Sequence, residues 1–251
     1  MVKFMKYFAK IKYLGTNFHG FQVQPGLRTV QGELNAALNE AFGLPCKVTG
    51  CSRTDAGVHA NEFCFTVECE GGTIPADKLP VAVARFLPDD ISLFYAEMCN
   101  DDFHPRYDVI EKEYLYRILN SRVNNPFDVG RAWFLPRRIT DEGLDLMKKA
   151  AVHFLGKHDF YSFMAEGSDV EDTVRNVTGV IIEKNGDYIE IRIKADGFLY
   201  NMVRIIVGTL TEVAFGRILP EDIPVIIDSK NRAKAGMTAP ADGLYLNRVM
   251  Y

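Results

Sequence analysis

The stretch CKVTGCSRTDAGVHANEFCFTVEC, Cys46 to Cys69, sets the frame for the whole chain. Its second part alternates. Asn61–Cys69 puts Phe63, Phe65 and Val67 on one side and Cys64, Thr66 and Glu68 on the other, which is the period of a strand. Cys46–Ser52 predicts the strand before it. Between the two, Gly50 and Gly57 permit tight turns. The same short segment carries Ser52, Arg53, Thr54, Asp55 and His59, too many polar groups for a core. Outward from here, Thr29–Phe42 predicts a helix with Val30, Leu34, Leu38 and Ala41 on one face and Thr29 as its cap. Pro75–Phe86 predicts a second helix, with Pro75 in its first turn. Lys3–Leu14 and Ile91–Cys99 read as the outer strands. The order is βαββαβ, the ferredoxin-like unit.

The rest of the chain repeats that order. Glu111–Asn120 reads as a strand. Asp141–Leu155 reads as a helix capped by Thr140, with Asp141 and Glu142 favourably placed at its start. Asn176–Lys184 and Tyr188–Ala195 flank Asn185-Gly186, a strong hairpin signal. Leu199–Ala214 is a very apolar helix, Glu221–Ser229 a short extra one, and Gly243–Tyr251 a last strand. The expected class is α+β, with two ferredoxin-like halves, 1–105 and 106–251, related by a pseudo-twofold axis. Their strands are expected to form one wide antiparallel sheet, helices on one face and the other open to a large ligand.

The chain has 251 residues, 47% hydrophobic and 25% charged, ordinary values for a globular protein. No apolar run approaches the roughly 20 residues of a membrane span, so no membrane partner is expected. Met1 to Lys12 alternates charged and apolar residues and lacks a signal peptide's apolar stretch. The cytoplasm is the expected compartment. Five cysteines, an odd number in a long chain, read as reduced thiols. Cys46/Cys51 and Cys64/Cys69 lack the close ligand pairs of a zinc site, and the histidines form no HExxH pattern, so no metal is expected. The net charge of −4 argues against nucleic acid, but its distribution does not. Residues 1–60 carry seven basic and three acidic side chains, residues 61–105 two and nine. A basic groove on an acidic body is compatible with that polarity.

Three segments bear on chemistry. In the loop, Asp55 is read either as the Asx-turn residue of a decorated hairpin, with Arg53 solvated, or as a catalytic carboxylate. Tyr114 and Tyr116 share one strand face, either as core or as a stacking platform for a base. Arg204 is alone in an apolar helix, and a buried unpaired charge is costly. A carboxylate, Asp55 above all, is its natural partner, with another acid or snorkelling to solvent as the alternatives. A two-carboxylate hydrolase would need a second acid near Asp55, and the loop has none.

Together these motifs resemble the TruA family of tRNA pseudouridine synthases. Arg53-Thr54-Asp55-Ala56-Gly57-Val58-His59-Ala60 is similar to that family's catalytic loop, and Gly15 to Gln24 to its N-terminal motif. Lys112–Tyr116, Gly197–Gly208 and Gly243-Leu244-Tyr245-Leu246 follow in the family's order. The resemblance implies a homodimer that isomerises uridine to pseudouridine at positions 38, 39 and 40 of the tRNA anticodon stem–loop, with no cofactor. It implies that Asp55 is the essential aspartate, Arg204 its basic partner, Tyr114 the tyrosine stacking on uracil and Leu244 an apolar wall. Arg53 and His59 are candidates to hold the flipped nucleotide's backbone. The alternative from another class is a ferredoxin-like RNA-binding module without catalysis.

Overall fold

The computed structural model describes residues 4–167 and 170–251. Lys3, where the first strand is expected to begin, lies outside the described residues. Among the described residues there are ten strands and five α-helices, and the chain divides into two compact units, residues 1–110 with 245–251, and residues 111–244.

The first unit holds β1 (Phe4–Tyr13), α1 (Val30–Phe42), β2 (Cys46–Gly50), β3 (His59–Glu70), α2 (Leu79–Ala84) and β4 (Ile91–Met98). Thr29 caps α1 as expected, accepting from the Gly32 N–H, and Gly43 ends it in the left-handed region. The second helix is shorter than expected. A 3₁₀ turn, Ala76–Lys78, precedes Leu79. β1 lies between β4 and β3, antiparallel to both. Its register sets Tyr7 opposite Val67, Ala9 opposite Phe65 and Ile11 opposite Phe63. All six side chains are fully buried on one side of the pleat, and Phe42 at the end of α1 packs on Tyr7. The other side is mixed. Lys6 pairs with Glu68 and Lys10 with Glu62, and Phe8 meets Phe103 and Tyr251 edge-on.

β2 pairs only with Gly50-facing Phe65 through Cys69 of β3. The first residues of β3 are thereby left to another strand, β10 (Leu244–Met250), which sets Tyr245 opposite His59 and Leu246 opposite Ala60. This pairing is parallel. It corrects the expectation of a wholly antiparallel sheet, because β10 enters from a long connection rather than a hairpin.

The second unit holds β5 (Glu111–Leu119), β6 (Trp133–Phe134), α3 (Asp141–Ala151), β7 (Gly156–Asp159), β8 (Val174–Asn185), β9 (Tyr188–Ala195), α4 (Met202–Ala214) and α5 (Asp222–Asp228). Its strand order is β5-β9-β8-β7. The short β6 runs parallel to β5 and, like β7, carries too few residues to show a period. Ile189, Ile191 and Ile193 of β9 are fully buried, each contributing about 1.5–3 kcal/mol of apolar burial. They stand opposite Ile118, Tyr116 and Tyr114 of β5. The other face of β5 and β9 carries ion pairs, Glu113 with Lys194 and Arg117 with Glu190. α3 and α4 approach so closely that a Cβ at Gly143 would lie 2.7 Å from the Ala214 carbonyl oxygen.

Candidate active site

The loop from Cys51 to Val58 joins β2 to β3. At its root Phe21 stacks on Phe63, ring centres 4.2 Å apart. A Cβ at Gly50 would come within 2.6 Å of the Phe21 ring, so only glycine lets the aromatic pair close over the strand end. Cys51 still donates its N–H to the Cys64 carbonyl. Then the chain leaves the sheet.

What holds the loop is the segment Gly15–Phe21. Phe21 donates its N–H to the Thr54 carbonyl at 3.1 Å, and Gly57 donates to the Phe18 carbonyl at 3.2 Å. The Tyr13 and Thr54 hydroxyls share a 2.8 Å hydrogen bond. Gly20, at φ +85°, brings its backbone so near that a Cβ would lie 2.5 Å from the Thr54 carbonyl oxygen. Phe18 is fixed in turn by Arg28, whose guanidinium lies 4.1 Å above its ring and forks onto Asp90 at 2.8 and 2.9 Å. The contribution of Gly15–Phe21 was legible in sequence only as a motif. Its density of glycines and aromatics is the signal of a close backbone approach.

Asp55 opens a tight turn. Val58 donates its N–H to the Asp55 carbonyl at 3.2 Å, and Gly57 takes φ +81°, the third position that a type II turn reserves for glycine. The chain therefore turns at Asp55 through its backbone carbonyl. Its carboxyl-bearing side chain is half-buried, so the turn also fixes the direction of an acid that is neither core nor surface. Arg53, two residues earlier, is exposed.

His59 stands apart from its expected role. Its imidazole is fully buried. Nδ1 accepts from the Gly15 N–H at 2.9 Å, and the ring stacks on Tyr245 at 4.5 Å. A ring so enclosed braces the loop against Gly15–Phe21 and is not placed to meet a phosphate. This corrects the expectation of a backbone contact through His59.

In the second unit, Tyr114 and Tyr116 share a face as expected, but it is the face of the buried isoleucines. Tyr116 is fully buried and donates its hydroxyl to the Pro240 carbonyl at 2.7 Å. Burial pushes its pKa up, and the Arg204 charge opposes that rise. Tyr114 is nearly buried and meets Phe198 edge-on at 5.0 Å. Arg204, half-buried near the start of α4, donates Nε to the Ala239 carbonyl and Nη1 to the Asn201 side-chain oxygen, each at 2.6 Å. Both acceptors are neutral oxygens. β5 and α4 are therefore tied to one segment, Ala239-Pro240. Leu244 follows it, buried, after Gly243, where a Cβ would lie 2.6 Å from the Arg117 carbonyl oxygen.

The cysteines divide differently from their sequence spacing. Cys46 stands opposite Cys69 across β2 and β3, and all five thiols are free. Burial and the neighbouring Cys69 push the Cys46 thiol up to about 12, which leaves it a poor nucleophile and ligand at neutral pH. Among the described residues no helix is long and apolar enough to cross a membrane.

Comparison with known proteins identifies the family. The family model described as tRNA pseudouridine synthase matches residues 9–108 and 150–251. The tRNA pseudouridine synthase A of Thermoanaerobacter sp. (strain X514) is 44% identical over 241 residues, which cover 96% of this chain and 97% of that one. That of Bacillus pumilus (strain SAFR-032) is 40% identical over 251 residues, covering 98% and 99%. Among solved structures, a Cbf5-Nop10-Gar1 complex aligns at a TM-score of 0.39 and 14% identity, over 96% of this chain and 48% of that one. Near-full-length identity of this size, together with a family model that matches both the aspartate loop and the second half, settles kinship: the chain belongs to the tRNA pseudouridine synthase family, whose members are isomerases.

Proposed function

We propose that this protein converts uridine to pseudouridine in the anticodon stem–loop of tRNA, at positions 38, 39 and 40, with Asp55 as the essential residue. The observation that carries the reading is the loop itself. Eight residues are held off the sheet by backbone hydrogen bonds from Gly15–Phe21, and the side chain they aim is a half-buried carboxylate. A module that only bound RNA would gain nothing from an acid directed at phosphates.

The reaction breaks the N1–C1′ bond, turns the uracil and joins C5 to C1′. C5 loses a proton and N1 gains one, so atoms and electrons balance without an oxidant or a phosphate donor. What it asks of the protein is an ionised carboxylate, acting as nucleophile on the ribose or base or as the base that removes the ribose C2′ proton. The target must first leave its stack. By resemblance to the family, Tyr114 stacks on the displaced uracil, Leu244 walls it, Arg53 holds the backbone, and Arg204 supplies positive charge that keeps the Asp55 carboxylate ionised. The same resemblance supports a homodimer working in the cytoplasm.

The test is incubation of the purified protein with unmodified tRNA, no cofactor added, and mapping of pseudouridine at single-nucleotide resolution. Product confined to positions 38 to 40 is expected. Product elsewhere overturns the assignment of the stem–loop, and no product on any tRNA overturns the enzymatic reading.

A further inference from the structure

Beside the root of the aspartate loop lies a cavity of about 290 Å³, and of its lining residues the reaction as described uses only Arg53. Ser52 and Arg53 of the loop line it, together with His104, Arg106 and Tyr107 from the segment after β4. No aspartate or glutamate is among its described lining residues, although residues 61–105 carry nine acids. Arg53 and Arg106 are exposed, and among the described residues neither guanidinium is paired with a carboxylate.

The segment is built to present its rings. His104 Nδ1 accepts from the N–H groups of Arg106 at 3.1 Å and Tyr107 at 3.3 Å. That commits the proton of the neutral imidazole to Nε2. Asp108 accepts from the His104 N–H at 2.7 Å and closes the turn, but its carboxylate does not line the cavity. The His104 and Tyr107 rings lie 4.3 Å apart at 30°. Tyr107 is 75% exposed, far more than an aromatic kept for packing. Two unpaired guanidinium groups, a committed imidazole donor and an open tyrosine face in a polar, carboxylate-free hollow are the elements of single-strand recognition, where cations follow the backbone and aromatic faces take the bases. A small-molecule site would instead be enclosed and mostly apolar.

We propose that this cavity receives one nucleotide flanking the target uridine, its phosphate held by Arg53 and Arg106 and its base stacked on Tyr107. The inference rests on the reading of Asp55 as the residue that meets the target. Arg53 lies two residues from Asp55, at most about 7 Å along the chain, a step that one nucleotide can bridge. Stacking there would stabilise the strand while its neighbour is turned out of the helix.

Two measurements test it. The first uses stem–loop RNA with the flanking base removed on the 5′ or the 3′ side of the target. Tyr107→Ala is expected to raise KM about tenfold, the loss of one base–aromatic stack, with kcat within about twofold, and Tyr107→Phe to restore it. On the occupied side, the abasic RNA should raise the wild-type KM equally and leave Tyr107→Ala unaffected. Equal KM for wild type and Tyr107→Ala, or a Tyr107→Ala loss that persists with both abasic RNAs, overturns the proposal. The second needs no catalysis. Tyr107→Trp, read against the emission of Trp133, the single tryptophan, should be quenched when the stem–loop binds. RNA binding without quenching, or no binding, overturns the proposal. Quenching without pseudouridine formation would keep the nucleotide site and sink only the enzymatic reading.

Discussion

The second and third strands of each βαββαβ order are joined in two very different ways. In the second unit the connection between β8 and β9 is two residues, Gly186-Asp187. In the first unit the connection between β2 and β3 is eight, Cys51 to Val58. The short turn is self-sufficient. Gly186 takes φ +60° and nothing lies within 4 Å of where its Cβ would be. The long loop depends on the distant Gly15–Phe21 segment, on backbone-to-backbone hydrogen bonds and on glycines pressed against carbonyl oxygens. The sheet does not need those extra residues. Their ordering cost, roughly 1–2 kcal/mol per residue, is offset by contacts whose effect is to fix the direction of Asp55.

One substitution made in both connections separates them most widely. Gly20→Ala sets a Cβ 2.5 Å from the Thr54 carbonyl oxygen at φ +85°. The loop must move, and a displacement of about 1 Å at a reacting group costs on the order of a hundredfold in rate. Gly186→Ala meets open space and should cost only the strain of its positive φ, about 1–2 kcal/mol, with pseudouridine formation per folded molecule unchanged. Rate assays beside thermal melts of both variants decide it. Equal losses of activity would mean that the loop is no more specialised than the turn.

A middle-sized effect is expected at His59. Removing the imidazole in His59→Ala leaves a cavity and orphans the Gly15 N–H, a loss of about 2–4 kcal/mol. Activity should fall with the loop's order, while the salt dependence of tRNA binding stays as it is. A phosphate contact would instead flatten the slope of log Kd against log salt by about one contact, and that result would return His59 to the RNA surface.

The smallest effect belongs to Arg28. Arg28→Lys keeps the charge beside Asp90 and Glu33 but loses the fork and the flat stack on Phe18. A loss of about 1 kcal/mol or less in chemical denaturation is expected for this part-exposed group, with kcat unchanged.

Much of this was legible in sequence for local reasons. β9 was read to the residue because its alternation is strict and Asn185-Gly186 fixes its start. Thr29 and Thr140 cap as read, since a hydroxyl before a helical period has one good use. β6 and β7 escaped because two to four residues carry no period, and their pairing is decided by β5 and β8. The parallel seat of β10 escaped because it follows from the shortness of β2, which ends opposite Phe65 and does not reach His59 and Ala60. At the site, Asp55 and Arg53 could be singled out from residue type alone. The enclosure of His59 could not, because burial there comes from Gly15 and Tyr245, far away in the chain. His104-Pro105-Arg106-Tyr107 read only as a boundary between halves, though a basic and aromatic cluster after an acidic stretch was its available signal.

The proposed role of Asp55 stands or falls with one variant. Asp55→Asn preserves the volume and the turn while removing the charge and the basicity. With tRNA affinity and single-turnover pseudouridine formation measured on the same preparation, Kd should stay within about threefold. The rate should fall by at least about a thousandfold, the scale of losing an essential acid–base or nucleophilic group. Wild-type-like pseudouridine yield from Asp55→Asn would contradict the account.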